Sequence, residues 1–343
     1  MNNTDIVLYG LCWAAALILA LILTPAARTA AISLGILDRP DQKLKTHQEA
    51  VPYLGGIAIF IAFIFSLSWI RILTHFPTGT LKSIRGIFLG ANLVALIGLM
   101  DDSRKGGLHF KTKFLLQTLT ALVLIVFDVR IKFAHPIWLA DILTIIWVIG
   151  ITNALNLLDI MDGLAAGVAA IASLAFLFIS LPSEEIYVNF TAAALAGACM
   201  GFLPYNLSKK QRIFMGDTGS LVLGYVLAAL SMGTSYTKIN SIGLLSPFLI
   251  LALPIYDTLL VSWLRLKKGQ SPFIGSKDHF ALRLKALGWS LPKILGFCYA
   301  GAFAAAVGAY LMTQWSNEKS VLVLAFFLGL ALLFSWRISK VSM

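Results

Sequence analysis

Long apolar runs alternate with short polar segments along the whole chain. A helix that crosses a bilayer needs about 20 mostly apolar residues, and eleven runs reach or approach that length. The runs cover residues 6–23, 53–73, 84–100, 114–127, 139–155, 164–181, 188–207, 220–236, 242–264, 294–313 and 320–336. The fourth is the shortest and needs its flanking residues to cross. The pattern predicts an all-α polytopic membrane protein with about 11 transmembrane helices.

The polar segments are too short to form a soluble domain. The longest covers about residues 265–292, so we expect residues 1–343 to form a single integral-membrane domain. The first apolar run has no positively charged segment before it and no small-residue cleavage site after it. This favours a retained transmembrane helix over a secretory signal.

Composition also indicates a membrane protein. Apolar residues make up 59% of the 343 residues and charged residues 13%, against about 45–50% and about 25% in soluble domains. These values argue against an ordinary soluble enzyme and against a disordered chain. The three cysteines lie inside apolar runs without metal-binding spacing, which predicts small buried side chains.

Basic residues are divided unevenly between the two sides of the predicted membrane domain. The net charge is +11, and 20 of the 27 lysines and arginines fall in alternate loops on one side. The positive-inside rule makes that side cytoplasmic, with the N-terminus outside and the C-terminus inside. The excess charge therefore indicates a membrane surface rather than nucleic acid. The loops of this active face cover about residues 25–52, 101–113, 156–163, 208–217 and 265–293.

Acidic residues cluster on the same side. Five of them lie at or inside the ends of predicted spans, at Asp101, Asp102, Asp159, Asp162 and Asp257. A carboxylate there is costly and usually faces a partner, an ion or a water-filled cavity. We therefore expect any chemistry to face the cytoplasm.

Two polar motifs close predicted spans. Asp101 and Asp102 end the third span, where paired carboxylates suit a divalent cation or proton transfer, although a hydrophilic helix end explains them too. Polar residues then recur every third position at the end of the fifth span, at Asn153, Asn156, Asp159 and Asp162. If the helix continues, they form one stripe for sugar hydroxyls, a base or metal-bound water. The alternative is hydrogen bonding between helices.

Three further segments carry candidate ligands. Asp217 lies between Gly216 and Gly219, before the eighth span. It is a candidate metal ligand beside a phosphate. Alternatively, Asp217 or Thr218 caps the helix that follows. Residues 278–287 predict an amphipathic helix whose His279 and Arg283 bind a phosphate or diphosphate, or which rests on anionic lipid. The first loop contributes Lys45 and His47, which by themselves indicate a solvated basic loop.

Several common motifs are absent from the sequence. It contains no GxxxxGK[ST], HExxH or GxSxG motif and no paired-cysteine zinc spacing, which argues against an ATP-driven pump, a zinc protease and a serine hydrolase. An ion-coupled transporter stays open, although its ionisable groups should lie near the bilayer midplane.

Together, these segments resemble a known family, the polyprenyl-phosphate N-acetylhexosamine-1-phosphate transferases of the glycosyltransferase family 4 type. Matching stretches occur in the family's order between about residues 35 and 290. They are KTH (45–47), PYLGG (52–56), GLMDD (98–102), NALNLLDIMDGL (153–164), FMGDTGS (214–220), PIYDT (254–258) and DH (278–279).

The resemblance implies an Mg²⁺-dependent glycosyl-1-phosphate transferase, with Mn²⁺ as an alternative ion. It would transfer HexNAc-1-phosphate, GlcNAc-1-phosphate first, from a UDP-sugar to undecaprenyl phosphate. The products would be the lipid diphosphate sugar and UMP, in the first membrane step of a cell-envelope glycan. The enzyme would be a multi-pass protein of the bacterial cytoplasmic membrane, and the family analogy adds a homodimer.

The resemblance also implies site residues. Asp217 would ligate Mg²⁺, and Asp101 and Asp102 would act on the lipid phosphate. The asparagines and aspartates of 153–162 would line the nucleotide-sugar site. His279 would bind phosphate, Lys45 and His47 of the first loop would also bind substrate, and in this chain Arg283 would be the second phosphate contact of the last loop.

The chain departs from the family at two positions. Leu282 stands where many members have a second histidine, and Ile160 where many have glycine. The triple-histidine signature of the branch that uses UDP-MurNAc-pentapeptide is absent, which favours the UDP-GlcNAc branch. The MurNAc-pentapeptide branch, an ion-coupled transporter and a non-catalytic relative remain the alternatives.

Overall fold

A computed structural model describes residues 3–40, 49–74, 76, 78–104, 106–183, 185–272 and 276–341. In it the chain divides into two compact units. We call residues 3–39 and 49–235 the N-terminal unit, and residues 236–341 the C-terminal unit. Both are built almost wholly from helices, as the apolar runs predict.

The N-terminal unit contains eight α-helices and one two-stranded antiparallel ribbon within its described residues. The helices are α1 (Asn3–Ser33), α2 (Gly55–Leu73), α3 (Thr78–Asp102), α4 (Phe110–Val126), α5 (Ile137–Leu158), α6 (Leu164–Ser180), α7 (Ile186–Asn206) and α8 (Gly216–Gly233). The ribbon pairs β1 (Leu37–Asp38) with β2 (Val51–Pro52), and a 3₁₀ turn covers Leu181–Ser183.

Helix α8 forms the core of this unit. It contacts α2, α3, α5, α6 and α7, and its residues from Thr218 to Ser231 are buried. Helix α7 lies against α1 because Gly197 and Gly201 face the carbonyls of Trp13 and Leu17, where a Cβ would overlap the backbone. Small residues allow this close approach in membrane helices.

The C-terminal unit contains a 3₁₀ turn (Ile242–Leu245) and five described α-helices. The helices are α9 (Ser246–Ile250), α10 (Ala252–Lys267), α11 (Phe280–Ala286), α12 (Leu291–Gln314) and α13 (Asn317–Ile338). The segment Ile242–Ile250 is bent by 74° from α10. Pro254 follows the break and has no N–H to offer to the carbonyl of Ile250, so the helix is interrupted there.

Seven described helices are long and apolar enough to cross a membrane, or eight if the bent pair is one span. Each of the eleven predicted runs contains helix, but α4 and α6 have only 17 residues. At 1.5 Å per residue such a helix is about 26 Å long, less than the hydrocarbon core of about 30 Å. The eleven-span count and its orientation therefore stay predictions.

Large apolar side chains cover the outer surface of the long helices. On α13 only Ser320 and Ile338 are buried, whereas Leu322, Phe326 and Leu332 are more than half exposed. A continuous apolar surface of this kind is typical of helices that contact lipid. The chain is a multi-pass membrane protein.

Candidate active site

The turn that carries Asp217 is held by the backbone of Pro52 in β2 and of Gly55 and Gly56 after it. Phe214 N donates to Pro52 O at 2.8 Å, Gly55 N donates to Phe214 O at 3.0 Å, and Gly56 N donates to Met215 O at 2.8 Å. A Cβ on Gly56 would overlap the backbone of Gly219. The PYLGG motif therefore fixes the position of the Asp217 turn.

Asp102 caps the N-terminus of α8. Its Oδ1 accepts from Asp217 N at 2.8 Å, and its Oδ2 accepts from Thr218 N at 3.0 Å and from Thr218 Oγ1 at 2.7 Å. These bonds satisfy donors that the first turn of a helix leaves free. Gly98 lets α3 approach this turn, because a Cβ there would overlap Thr218. The Asp102 carboxylate is thus hydrogen-bonded to the first turn of α8, which carries Asp217.

Tyr53 reinforces this joint between α3 and the ribbon. Its hydroxyl donates to the backbone carbonyl of Asp102. Burial raises the pKa of Tyr53, and the neighbouring Asp102 carboxylate raises it further. The hydroxyl therefore stays protonated and keeps its role as donor.

Asp101, Lys113 and Asp217 form the charged centre of the site. The Lys113 ammonium lies 2.9 Å from Asp101 Oδ2 and 2.6 Å from Asp217 Oδ2. Asp101 also accepts from Leu108 N at 2.5 Å, in the turn before α4. Two carboxylates from different helices thus converge on one cation.

Helix α5 adds amide side chains to this cluster. Asn156 donates to Ser220 Oγ at 2.9 Å and lies beside the Asp217 carboxylate. Asn153 Nδ2 donates to Gln117 Oε1 at 2.7 Å, which ties α5 to α4. Asn156 therefore faces the charged centre, whereas Asn153 joins two helices.

The predicted polar stripe ends earlier than a continuous helix would require. Helix α5 stops at Leu158, and Asp159 is its C-cap. Burial raises the pKa of Asp159, and the charges of Asp217, Asp162 and Asp102 add to this effect and bring it to about 8. Asp162 instead pairs with Arg212 at 2.5 Å, and this guanidinium lies 4.8 Å from the centroid of the Phe214 ring.

A second cluster lies in the C-terminal unit. His279 Nδ1 is 2.6 Å from Asp257 Oδ2, and Phe280 N donates to Asp257 Oδ1 at 3.1 Å. Asp257 is 0% exposed and His279 3%. This pair fixes the imidazole at the start of α11 through its Nδ1 nitrogen.

The flank of that histidine is ionic. Asp278 Oδ1 lies 2.7 Å from Lys268 Nζ and 2.6 Å from Arg283 Nη2, and Ser276 Oγ donates to its Oδ2 at 2.8 Å. Burial opposes ionisation of Asp278, but these three bonds outweigh it and lower the pKa of Asp278. Arg283, predicted to bind phosphate, is 2% exposed and already bonded within the protein.

Comparison with known proteins adds a family to this geometry. Residues 84–235 match the family model described as "Glycosyl transferase family 4". A Bacillus subtilis protein named "Probable undecaprenyl-phosphate N-acetylglucosaminyl 1-phosphate transferase" is 31% identical over 324 residues, covering 91% of this chain and 88% of the relative. The chain belongs to glycosyl transferase family 4.

Two other relatives of this family 4 transferase span similar lengths. "Undecaprenyl-phosphate alpha-N-acetylglucosaminyl 1-phosphate transferase" of Salmonella typhi is 26% identical, covering 92% of this chain and 88% of the relative. "Decaprenyl-phosphate N-acetylglucosaminephosphotransferase" of Mycolicibacterium smegmatis is 30% identical, covering 86% and 79%. The similarity thus extends well beyond the residues that the family model matches.

The donor set of this family 4 transferase fits a magnesium ion held partly by substrate. Among the described residues, no three His, Cys, Asp or Glu side chains group as a metal site. Mg²⁺ commonly uses only one or two carboxylates and completes its coordination with water and phosphate oxygens. Asp101 and Asp217 supply two carboxylates, and Lys113 between them shows that a cation is favoured there.

Sequence reasoning missed several residues of this site. Lys113, Gln117, Ser220 and Arg212 all contact predicted site residues. Lys113 directly precedes the shortest predicted span, and a lysine there is most often a solvated anchor. Lys45 and His47, which were predicted to bind substrate, lie outside the described residues.

Proposed function

We propose that this family 4 transferase moves an N-acetylhexosamine 1-phosphate from a UDP-sugar to undecaprenyl phosphate, with GlcNAc-1-phosphate as the first candidate. The enzyme would cross the bacterial cytoplasmic membrane eleven times, with its active face in the cytoplasm. The relatives support the reaction by name. The observation that carries it is the Asp101–Lys113–Asp217 cluster.

The reaction joins two anions. An oxygen of the lipid phosphate attacks the β-phosphorus of the UDP-sugar, and the bond from that phosphorus to the oxygen bridging the two phosphates breaks. UMP leaves with the bonding electron pair, and the lipid diphosphate sugar is formed. Fixed positive charge must offset the phosphate charge as the two substrates meet.

Each side chain of the charged centre has a distinct task. Asp217 and Asp101 would hold Mg²⁺, and the bound ion supplies charge withdrawal from the diphosphate oxygens. Asp101, with no helix to cap, also takes the proton from a singly protonated lipid phosphate. When another cation binds Asp101 and Asp217, the Lys113 ammonium loses both carboxylates as partners. It would then bind a substrate phosphate instead.

The surrounding polar residues would bind the nucleotide sugar. Asn156 lies beside Asp217 and is oriented by Ser220, and Asp159 and Asp162 follow it at the end of α5. His279, Lys45 and His47 stay predicted phosphate contacts, and the homodimer stays a prediction from the family analogy.

The test is UMP release by the purified protein in detergent micelles with undecaprenyl phosphate, Mg²⁺ and a panel of UDP-sugars. We expect UMP with UDP-GlcNAc only when lipid and metal are both present, and none with EDTA. Mn²⁺ in place of Mg²⁺ tests the alternative ion. UMP from UDP-MurNAc-pentapeptide alone would assign the other branch of the family. Substrate flux across proteoliposomes without UMP would indicate a transporter.

Asp217→Asn should reduce UMP release by at least about a hundredfold, because it removes charge from the metal site. Asp141→Asn is the matched control. Its carboxylate pairs with Arg130 at 3.0 Å, away from the cluster, so this variant should keep its activity. Full activity of Asp217→Asn, with normal insertion into membranes, would remove Asp217 from the metal site.

A further inference from the structure

Among the residues that the structure describes, Arg283 is one of the largest fully buried side chains. Each of its three nitrogens donates to a protein acceptor. Nε donates to Asp278 O at 3.2 Å and Nη2 to Asp278 Oδ1 at 2.6 Å, while Nη1 donates to Ile338 O at 3.3 Å and to Val341 O. A substrate phosphate would have to displace these acceptors from a site closed to solvent.

The acceptors on one side belong to the end of α13. Ile338 is its last residue, and Val341 follows it by three positions. Carbonyls in the last turn of a helix lack partners within the helix and carry the negative end of its dipole. A guanidinium with five donors in a fixed plane satisfies such carbonyls and a carboxylate at the same time.

The acceptors on the other side lead to the predicted phosphate ligand. Arg283 holds both the side chain and the carbonyl of Asp278, the residue before His279. His279 is then fixed by Asp257 on α10. Two supports thus flank the imidazole, one from α10 and one from the end of α13.

We propose that Arg283 is a positioning residue, and that the end of α13 is an anchor for the His279 loop. The helix end holds Arg283, Arg283 holds Asp278, and Asp278 sets the backbone that places the His279 imidazole against Asp257. The catalytic part of this inference rests on the proposed function. The structural part, that Arg283 keeps His279 in its buried position, does not.

The first experiment therefore needs no turnover. Diethyl pyrocarbonate acylates accessible imidazoles, and peptide mass spectrometry reports each histidine separately. His279 should react slowly in the parent protein, with the exposed His109 as internal reference. Arg283→Lys keeps the buried charge but cannot span Asp278 and two carbonyls. We expect His279 in this variant to react about tenfold faster, as expected for a lost charged hydrogen bond.

Two further variants complete this labelling experiment. Lys285→Gln changes an exposed residue of the same helix and should leave the rate unchanged. Asp278→Asn leaves Arg283 and α13 in place but removes the charge that Arg283 Nη2 binds at 2.6 Å, and should also expose His279. It carries the test if Arg283→Lys does not fold. Unchanged protection of His279 in either folded variant overturns the inference.

Turnover then separates positioning from direct contact. If Arg283 acts through His279, Arg283→Lys should lower kcat about tenfold, with the KM for the UDP-sugar nearly unchanged. On a His279→Ala background it should have little further effect. A raised KM together with additive losses would indicate direct phosphate binding and contradict the inference. If the parent protein releases no UMP, the proposed function fails and the labelling result still decides the anchor.

Discussion

Asp101 and Asp102 are neighbours in the sequence, yet their carboxylates have different partners. Asp102 accepts three hydrogen bonds from the first turn of α8, whereas Asp101 contacts Lys113 and the backbone of Leu108. These three bonds use most of the roughly four lone-pair sites of the Asp102 carboxylate. We therefore expect Asp101, rather than Asp102, to be the residue of the pair that contacts metal or takes a proton.

Asp102→Asn should destabilise the protein by about 1–2 kcal/mol, because an amide has one acceptor oxygen where α8 presents three donors. The Asp217 turn should loosen, so the Mg²⁺ concentration for half-maximal activity should rise. Thermal unfolding and a Mg²⁺ titration measure both effects. Thr218→Val, which removes one of the three bonds, should act in the same direction but less. An unchanged unfolding midpoint for Asp102→Asn would contradict the capping role.

Asp278 should make stability depend on pH. Its folded pKa lies below its unfolded value, so its contribution is present above about pH 4 and is lost as pH falls through the lowered pKa. Asp278→Asn should therefore unfold at a lower temperature than the parent at pH 7. The difference should shrink below about pH 4. A difference that is equal at both pH values would show that ionisation of Asp278 is not involved.

The sequence singles out acidic residues that the structure brings together, because carboxylates at span ends need partners. It does not separate Asp101 from Asp102, since that difference depends on which helix end meets α3. Arg283 illustrates the same point. A basic loop residue is usually solvated, and only the position of α13 shows that this guanidinium is buried.

Helices follow the apolar runs closely, because helix formation satisfies every backbone hydrogen bond inside a membrane. The predicted amphipathic segment 278–287 contains α11, Phe280–Ala286. Two features differ from the pattern. The run 242–264 is broken before α10, and the polar stripe leaves the helix at Leu158. Both depend on local backbone geometry, which hydrophobicity does not report.

Glycine contacts between elements should be sensitive to a single methyl group. Gly98→Ala would push α3 away from the Asp217 turn, because its Cβ would overlap Thr218. We expect Gly98→Ala to lower stability by about 1–3 kcal/mol. It should also lower activity more than Gly150→Ala does. Gly150→Ala on α5 is the control, since no atom lies within 4 Å of its Cβ position. Thermal unfolding in micelles compares the two, and equal midpoints would refute the tight contact.

At the scale of the molecule, the two units share a helical architecture but carry different chemistry. The N-terminal unit contains Asp101 and Asp217 with Lys113 between them. The C-terminal unit contains His279 on an ionic support. The charge distribution of the sequence predicts that both clusters face the cytoplasm. This orientation is defined only relative to a membrane, so it is measured in membrane vesicles.

Membrane orientation is tested by cysteine labelling in sealed vesicles. Ser103→Cys, after α3, should react with a membrane-impermeant maleimide only from the cytoplasmic side. Lys132→Cys, between α4 and α5, should react only from outside. Both positions are exposed, and the three native cysteines are buried. Labelling with the opposite sidedness would invert the predicted topology.

The ammonium of Lys113 between two carboxylates gives the resting centre its own counter-ion. A divalent ion that binds there must displace the Lys113 ammonium. Its net affinity is therefore its attraction to the two carboxylates minus the attraction of the ammonium to them. An incoming diphosphate offers the displaced ammonium a new anion. Bound metal should therefore raise the affinity for nucleotide sugar, and bound nucleotide sugar should raise the affinity for metal by the same factor. Without nucleotide sugar, the centre should bind metal weakly.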